Sequence, residues 1–259
     1  MTTVSIIGTG NVGYHVHKMI AKLSDYEVVS ICGTSIEKAK SIKAGKTASY
    51  IDNLNQVPKS DIVLLCVPDT KIKSIAKKLS KLSQLDRSVV AHTSGSVSSS
   101  HLSSCKKYGV FYPLQTFTKG QRMSYNIIPF CIHGNTSAVV KKLTVLASLI
   151  SKDVRKVDDK ARKEIHLSAV LVNNMVNHII HLSQKRLSDQ KIAADILLTL
   201  IKETVSKSLK MSAYAAQTGP ARRADQAVIN GHLKRLKKDK QLHDIYSIIS
   251  DSIIKTYHQ

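Results

Sequence analysis

The feature that most constrains the fold is a glycine-rich motif near the start of the chain, Gly8-Thr9-Gly10-Asn11-Val12-Gly13. It follows a short apolar run at residues 4–7 and precedes residues 14–23, where apolar side chains recur at helical spacing. This order predicts a strand, a tight turn and a helix. In dinucleotide-binding folds the glycines permit the turn, the approach of a pyrophosphate and close packing of helix on strand. The motif therefore predicts a dinucleotide site, and a tight turn without a ligand is the alternative.

Strand-like and helix-like segments alternate after this motif. The pattern predicts strands at residues 4–7, 28–32, 61–68, 88–91, 109–112, 128–133 and 154–157. It predicts helices at residues 14–23, 35–43, 70–82, 99–107 and 137–150. The apolar run at 61–68 is unbroken, as in a parallel sheet buried on both faces. We therefore expect an α/β fold with an N-terminal Rossmann doubly wound parallel sheet.

The pattern becomes helical throughout from Asp158 onward, with breaks near residues 187–190 and 218–220. This change predicts two domains, a dinucleotide-binding domain at 1–157 and an all-helical C-terminal domain for substrate binding and dimerisation at 158–259. Mostly apolar helices in a domain of about 100 residues favour a homodimer.

The end of the second predicted strand bears on the choice of cofactor. An acidic residue there holds the ribose 2′-hydroxyl of NAD in many Rossmann domains, but this chain has Cys32-Gly33-Thr34-Ser35, with Lys38 nearby. Two hydroxyls and a cation favour the 2′-phosphate of NADP, with NAD as the less favoured cofactor. The predicted cofactor-binding residues are Gly8, Thr9, Gly10, Asn11, Val12, Gly13, Gly33, Thr34, Ser35, Val67, Pro68 and Thr93.

Three polar loops follow predicted strands and should converge at the carboxyl edge of the sheet. They are Val67-Pro68-Asp69-Thr70, His92-Thr93-Ser94-Gly95-Ser96 and Tyr112-Pro113-Leu114-Gln115-Thr116-Phe117. The second loop is either a wall of the substrate pocket or an ordinary polar loop with a capping serine. We expect Ser94, Gly95 and Gln115 to contact substrate.

The helical part carries polar side chains inside an apolar stretch. His166, Asn173 and Asn177 share one helical face, and Asn174 lies beside it. They form either a hydrogen-bonded seam between helices or a face that binds substrate, with His166 suited to proton transfer. The predicted catalytic residues are His166, Asn174 and Ser94, and Asn177 is a predicted substrate contact.

Adjacent arginines, Arg222 and Arg223, follow Thr218-Gly219-Pro220 and precede Asp225, which is predicted to cap a helix. Arg222 is predicted to bind a substrate carboxylate or a cofactor phosphate, and a surface charge is the equal alternative.

Composition narrows the classes of function. A formal net charge of +21 attracts anions in general. Nucleic-acid binding is disfavoured because the chain has no Trp and only 3 Phe to stack on bases.

No secretory leader or long apolar run is evident, so we expect a cytoplasmic protein without a membrane partner. The widely spaced Cys32, Cys66, Cys105 and Cys131 contain no CxxC pair and are typical of buried thiols, so no metal is expected.

These residues together resemble a known group, the Rossmann-like predicted NADP oxidoreductases with a helical C-terminal domain of uncharacterised function. The group is distantly related to pyrroline-5-carboxylate reductase, 6-phosphogluconate dehydrogenase and deazaflavin-dependent NADP reductases. The resemblance covers nearly the whole chain and rests on the glycine motif, the three loops, His166 with Asn174 and His178, and residues 217–222. It implies the two-domain architecture and dimerisation through the helical domain.

The resemblance has two departures. Related β-hydroxyacid dehydrogenases use a lysine and an asparagine one helical turn apart, but here no lysine lies one turn before Asn174, so that pair is not carried over. Many members have His-Pro-Leu where this chain has Tyr112-Pro113-Leu114.

The residues and the resemblance together predict an enzyme that transfers a hydride between NADP(H) and a small carbonyl, hydroxy-acid or imine substrate. The alternative is a sensor or scaffold protein that binds the dinucleotide without catalysis.

Overall fold

The computed structural model describes residues 1–44 and 48–258. The chain divides into two compact units, Met1–Asn174 and Met175–Gln259. The strands of the described residues all lie in the first unit, and the second unit contains helices. The domain boundary predicted between residues 157 and 158 follows the last strand directly and stays a prediction.

Eight strands in the described residues form one sheet. They are β1 (Thr2–Ile7), β2 (Tyr26–Cys32), β3 (Ser49–Ile51), β4 (Ile62–Leu65), β5 (Val89–His92), β6 (Lys107–Pro113), β7 (Phe130–Gly134) and β8 (Val154–Lys156). Their order is β3-β2-β1-β4-β5-β6-β7-β8. Because β1 pairs in parallel with both β2 and β4, the order reverses between β1 and β4. Ligands of open α/β sheets bind outside the carboxyl ends of the strands at such a point.

The unbroken apolar run of β4 is explained by burial on both faces of the sheet. Ile62 and Leu64 belong to the hydrophobic cluster on one face, and Val63 and Leu65 to the cluster on the other. All four side chains are fully buried. Alternate residues of a strand point to opposite faces, so a central strand covered by helices has no solvent-facing position.

Five helices cover the sheet or follow it in the described part of the first unit. They are α1 (Asn11–Ile20), α2 (Ile36–Lys40), α3 (Ile72–Leu79), α4 (Ser137–Ile150) and α5 (Asp159–Val170). Local sequence starts several of them, because a side-chain oxygen accepts a hydrogen bond from a free N–H of the first turn. Ser35 caps α2, Thr136 caps α4 and Asp158 caps α5. A π-helical turn over Leu171–Met175 follows α5.

The structure differs from the sequence-based prediction in three elements. The helix predicted at 99–107 is wrong: Ser99–Leu102 form a single 3-10 turn, and β6 begins at Lys107. Serine hydroxyls compete for backbone groups, and Ser98 caps this turn by accepting from the Ser100 N–H. The strand β7 runs antiparallel to β6, so the sheet is mostly rather than wholly parallel. The short strand β3 had no sequence prediction.

The second unit is all-helical in its described residues, as the change of period predicts. Its helices are α6 (Val176–Asp189), α7 (Leu198–Lys210), α8 (Ala213–Ala216), α9 (Gln226–Leu236) and α10 (Lys240–Tyr257). The predicted break near 187–190 coincides with the end of α6, and residues 218–220 lie between α8 and α9. Asp225 caps α9 by accepting from the Val228 N–H, as its position predicts. The α9 and α10 helices are joined by a 2.8 Å hydrogen bond between His232 Nδ1 and the Tyr246 hydroxyl.

No helix in residues 1–44 and 48–258 combines the length and the apolar character needed to cross a membrane.

Candidate functional site

The glycine-rich turn between β1 and α1 is closed on its strand side and open on the other. Gly8 has a φ of +110°, and a Cβ there would overlap the carbonyl oxygen of Cys66. A Cβ at Gly13 would overlap the carbonyl oxygen of Gly8. At Gly10, by contrast, a Cβ would meet no described heavy atom within 4 Å apart from those of its own local backbone and chain neighbours. This arrangement fits a pyrophosphate, because the ligand can approach the backbone at Gly10 where α1 begins.

A cleft of about 1260 Å³ lies at the carboxyl ends of β1, β2 and β4, where the strand order reverses. The predicted cofactor residues that line it are Gly8, Thr9, Gly10, Gly33, Thr34, Val67 and Pro68. The place of this cleft, outside the carboxyl ends of the strands where their order reverses, is the one expected for a dinucleotide.

The remaining predicted cofactor residues lie beside the cleft and make contacts within the protein. Asn11 Oδ1 accepts from the Lys119 N–H at 3.1 Å, and Ser35 Oγ accepts from the Lys38 N–H at 3.3 Å. The Thr93 hydroxyl donates to the Leu65 carbonyl oxygen at 3.1 Å. Val12 packs against the hydrophobic core. These five residues, Gly13 included, shape the turn and the strand ends around the cleft.

The charge of the cleft is strongly positive. Its lining includes the four lysines Lys38, Lys78, Lys81 and Lys119 and a single described carboxylate, Asp52. Burial and then the Asp52 charge raise the pKa of the Cys32 thiol to about 11, so this cleft-lining cysteine is protonated near neutral pH. The lining suits an anionic ligand.

The three loops predicted to converge do meet in the first unit. The Ser96 hydroxyl, after β5, donates to Asp69 Oδ2, after β4, at 2.5 Å. A Cβ at Gly95 would lie 2.6 Å from the Tyr112 ring, at the end of β6. Ser94 shapes the second loop, because its Oγ accepts from the backbone N–H groups of Ser96 at 3.2 Å and Val97 at 3.1 Å. Hydrogen bonds and close contacts therefore hold this loop in a defined conformation.

A tyrosine–histidine pair lies against this loop. The Tyr112 hydroxyl and His166 Nδ1 form a hydrogen bond of 3.1 Å, and their rings meet edge to face at 5.9 Å. Gly95 leaves room for the pair, since a Cβ there would lie 2.5 Å from His166 Nδ1. Burial raises the pKa of Tyr112 to about 12, so its hydroxyl holds its proton throughout the neutral range. The pair can donate a proton or hydrogen-bond an oxygen or nitrogen.

The helix α5, which carries His166, is fastened to the same loop by a buried ion pair. Arg162 is completely buried, and its guanidinium forms a 2.7 Å ion pair with Asp159 and donates to the Val97 carbonyl oxygen. Asp159 Oδ2 accepts from the Ser98 hydroxyl at 2.5 Å and from the Ser99 N–H at 2.8 Å. Burial by itself raises the pKa of Asp159, but hydrogen bonds from Ser98 and Arg162 outweigh it and hold the pKa well below its usual range.

Beneath this loop lies a histidine that remains neutral. His92 is fully buried, and its Nδ1 accepts from the Ser94 N–H at 3.1 Å. Burial of the ring, followed by the charge of Arg162, lowers its pKa to about 4. His92 therefore supports the loop and does not exchange protons near neutral pH.

Comparisons with known proteins support this assignment of the cleft. Residues 3–95 match the family model described as NADP oxidoreductase coenzyme F420-dependent, and residues 128–253 match a domain of unknown function, DUF2520. The structure described as "putative NADP oxidoreductase BF3122 from Bacteroides fragilis" is 29% identical, with 98% of each chain covered and a TM-score of 0.90. Together these matches indicate an NAD(P)-dependent oxidoreductase.

More distant structures show the same fold. Protein TM1727 from Thermotoga maritima is 21% identical, with 99% of this chain and 100% of the other covered and a TM-score of 0.80. Pyrroline carboxylate reductase from Plasmodium falciparum, solved with NADP bound, is 13% identical, with 98% and 97% coverage and a TM-score of 0.61. A search of curated protein sequences gave no match.

The predicted substrate-side residues of this oxidoreductase are distributed over both units. Ser94, Gly95 and His166 come together in the first unit, whereas Gln115 is exposed and its Oε1 accepts from the neighbouring Thr116 N–H at 2.8 Å. Asn174 is exposed in the π-helical turn that ends the first unit. In the second unit, Asn177 is exposed, and the Arg222 guanidinium lies 4.2 Å from the centre of the Tyr257 ring.

Sequence reasoning missed several residues of the oxidoreductase site. Nothing in the sequence indicated that Arg162 and Asp159 contribute to the site, because a charged pair on a helix normally lies on a solvated face. Asp52 follows the unpredicted strand β3, and Lys119 lies far in the sequence from the other cleft residues. The pairing of Tyr112 with His166 had one available signal, since both residues lie in segments that carried the family resemblance.

Proposed function

We propose that this oxidoreductase transfers a hydride between NADP(H) and a small carbonyl, hydroxy-acid or imine substrate. The observation that carries the proposal is the combination, in one compact unit, of a dinucleotide cleft with the hydrogen-bonded pair of the buried Tyr112 and the half-buried His166. The fold shared with a pyrroline carboxylate reductase supports a substrate with a C=N or C=O bond.

The choice of NADP over NAD is supported by the lining of the cleft. Gly33 and Thr34 follow β2, where NAD-binding domains commonly have an acidic residue, and Lys38 lines the same end of the cleft. The description of the matching family model as an NADP oxidoreductase favours the same cofactor. Among the described residues that line the cleft, the one carboxylate is that of Asp52, which follows β3 rather than β2.

The protein groups in this proposal bind, orient and transfer a proton. When bound, the nicotinamide supplies or accepts the hydride. The Tyr112 hydroxyl donates a proton to the substrate oxygen or nitrogen in the reductive direction, and the phenolate that remains accepts a hydrogen bond from the His166 ring N–H. Ser94 and Gly95 form the loop beside this pair and contact the substrate. Gln115, Asn174, Asn177 and Arg222 are proposed contacts with the remaining polar groups of the substrate.

The second unit is proposed to form a homodimer. Its helices carry many large apolar side chains on their exposed surfaces, including Ile196, Leu200, Leu209 and Ile248. Monomeric proteins rarely expose so much apolar surface, and a second copy of the chain would cover it.

The experiment that tests the proposed function compares turnover with cofactor affinity. We expect the wild-type protein to oxidise NADPH in the presence of one or more keto acids or cyclic imines from a screen. Tyr112→Phe removes the proton donor, so turnover should fall about 100-fold while the Kd for NADPH, measured by nicotinamide fluorescence, stays unchanged. His166→Ala should also depress turnover far more than cofactor affinity.

Tyr108→Phe provides the matched control, because Tyr108 lies on the same strand but packs against a different hydrophobic cluster from Tyr112. Its turnover should equal that of the wild type. Tight NADPH binding with no turnover on any substrate would favour a non-catalytic sensor, and no binding of either nucleotide would contradict the proposal altogether.

A further inference from the structure

A lysine from the loop after β6 reaches across to the cofactor cleft. The Lys119 N–H donates to Asn11 Oδ1 at 3.1 Å, and its ammonium donates to the Ser41 hydroxyl at 2.8 Å. Lys119 and Ser41 both line the cleft. The loop therefore brings a positive charge to a cleft whose other walls come from β1–β4 and their helices.

The backbone of this loop is anchored to α1. His15 is fully buried on α1, and its Nε2 hydrogen-bonds the Thr118 carbonyl oxygen at 2.8 Å. The other ring nitrogen hydrogen-bonds the Tyr125 hydroxyl at 2.9 Å, and the ring stacks on Phe117 at 4.9 Å. Because the residue before Lys119 is held in this way, the lysine reaches the cleft from a defined place.

The ammonium of Lys119 is available to a ligand anion. Among residues 1–44 and 48–258 it forms no ion pair. Its described contacts are the neutral Ser41 hydroxyl and the face of the Tyr14 ring, whose centre is 5.9 Å away. A lysine ammonium has three donors, so two remain for other acceptors. Lys38 lines the same side of the cleft and adds a second positive charge.

The position of this ammonium distinguishes between the phosphates of a dinucleotide. The pyrophosphate belongs at Gly10 and the start of α1. Ser41 is the C-cap of α2, the five-residue helix that follows β2, and the adenosine ribose of a dinucleotide lies at the end of the second strand. An anion beside Ser41 and Lys38 is thus on the ribose side of the cleft.

We propose that Lys119 binds the 2′-phosphate of NADP(H), so that a loop from the far half of the sheet determines cofactor specificity together with Thr34 and Lys38. The inference rests on the proposed use of NADP by this protein. Lys119 would then be a residue that determines the preference for NADP over NAD although it lies outside both the glycine motif and the end of β2.

The test measures the Kd of NADPH and NADH by nicotinamide fluorescence for the full-length protein and three variants. Lys119→Met removes the charge at similar length, and we expect the Kd for NADPH to rise about tenfold or more while the Kd for NADH is unchanged. Lys119→Arg keeps a cation and should retain most of the preference for NADPH. The loss in Lys119→Met should shrink as ionic strength rises.

Lys77→Met is the control for the overall loss of positive charge, because Lys77 is exposed on α3 and is not a described lining residue of the cleft. Its affinity for both nucleotides should match that of the wild type. If the wild type binds neither nucleotide, the proposed function fails before Lys119 is tested.

Two results would overturn the Lys119 proposal alone. In the first, the wild type prefers NADPH and Lys119→Met keeps the same preference. In the second, Lys119→Met weakens NADPH and NADH equally, which would place the ammonium at the shared pyrophosphate.

Discussion

The glycines of the turn between β1 and α1 have different neighbours and so different roles. Gly8 combines a positive φ with close contact to the Cys66 carbonyl group, so both backbone conformation and space exclude a side chain. Gly10 has space and a negative φ of −73°. Because Gly10 has no side chain, a ligand can approach the backbone at this position.

This difference predicts opposite effects for two substitutions. Gly8→Ala should lower the free energy of unfolding by about 3 kcal/mol, because it combines backbone strain with steric overlap. Gly10→Val should lower the free energy of unfolding by no more than about 1 kcal/mol, the cost of a poorer N-cap for α1, and abolish binding of NADPH. Urea denaturation and fluorescence titration measure the two quantities. A large loss of stability in Gly10→Val would contradict the open position seen at this residue.

The buried His92 predicts a dependence of stability on pH. Its pKa is lowered from 6.5 to about 4 by burial and then by Arg162, while the nearby charges of Asp159 and Asp69 act in the opposite direction. Below pH 6.5 the unfolded chain therefore gains a proton that the folded chain does not. The contribution of His92 should lower the free energy of unfolding by about 2 kcal/mol between pH 7 and pH 5.

The measurement is urea unfolding at these two pH values in the parent protein and two variants. His92→Gln should lose this part of the pH dependence, whereas His101→Gln, at an exposed position, should keep it. An unchanged pH dependence in His92→Gln would show that the His92 ring takes up a proton as readily in the folded chain as in the unfolded chain.

At the scale of elements, α5 determines the shape of the loop after β5. Its first turn supplies Asp159 to the backbone and hydroxyls of Ser98 and Ser99, and its second supplies Arg162 to the Val97 carbonyl oxygen. His166 follows on the same helix and meets Tyr112. One helix thereby holds both the loop and the proton-donating pair.

Breaking this attachment should loosen the loop. Asp159→Ala leaves the buried Arg162 guanidinium without its carboxylate, and we expect a loss of about 2–4 kcal/mol in the free energy of unfolding. The value lies at the lower end for a buried pair because the Asp159 side chain is 25% exposed. Hydrogen exchange at the Ser99 amide should accelerate as well, since this N–H donates to Asp159.

Asp158→Ala is the matched control for this prediction. Asp158 precedes Asp159 and caps α5 by accepting from the Ala161 N–H at 2.7 Å. Loss of a cap costs about 1 kcal/mol, so this variant should be less destabilised and should leave exchange at Ser99 unchanged. If both variants changed the free energy of unfolding and the exchange at Ser99 equally, the stability of the α5 helix, rather than the contacts of Asp159, would hold the loop.

At the scale of the whole molecule, the exposed apolar surface of the second unit predicts a dimer in solution. Ile248→Asp places a charge at a side chain that is 70% exposed on α10, and sedimentation should then show a monomer where the wild type is dimeric. Ile127→Asp is a matched control in the first unit, where the side chain is 71% exposed. A monomeric wild type would contradict the proposed dimer.

Local pattern was sufficient for much of this fold. The strand, glycine turn and helix at the start, the fully apolar β4 and the change to helices after residue 157 all follow from the order of residues within short segments. The helix at Ser137–Ile150 agrees with its prediction at both ends, because Thr136 caps it and its apolar positions repeat at helical spacing. These features depend on neighbours a few residues apart, which a sequence displays directly.

Tertiary structure decided the features that depend on partners distant in sequence. The antiparallel β7 and the 3-10 turn at Ser99–Leu102 follow from pairing with β6 and from the Asp159 contact, neither of which is a local property. Tyr112 and His166 are 54 residues apart, and Lys119 is 78 residues from Ser41. These side chains meet their partners only when the chain folds and closes long loops, which no short sequence segment displays. The sequence therefore predicted the cleft and its glycine turn, whereas folding determined which charged groups and hydroxyls line the site.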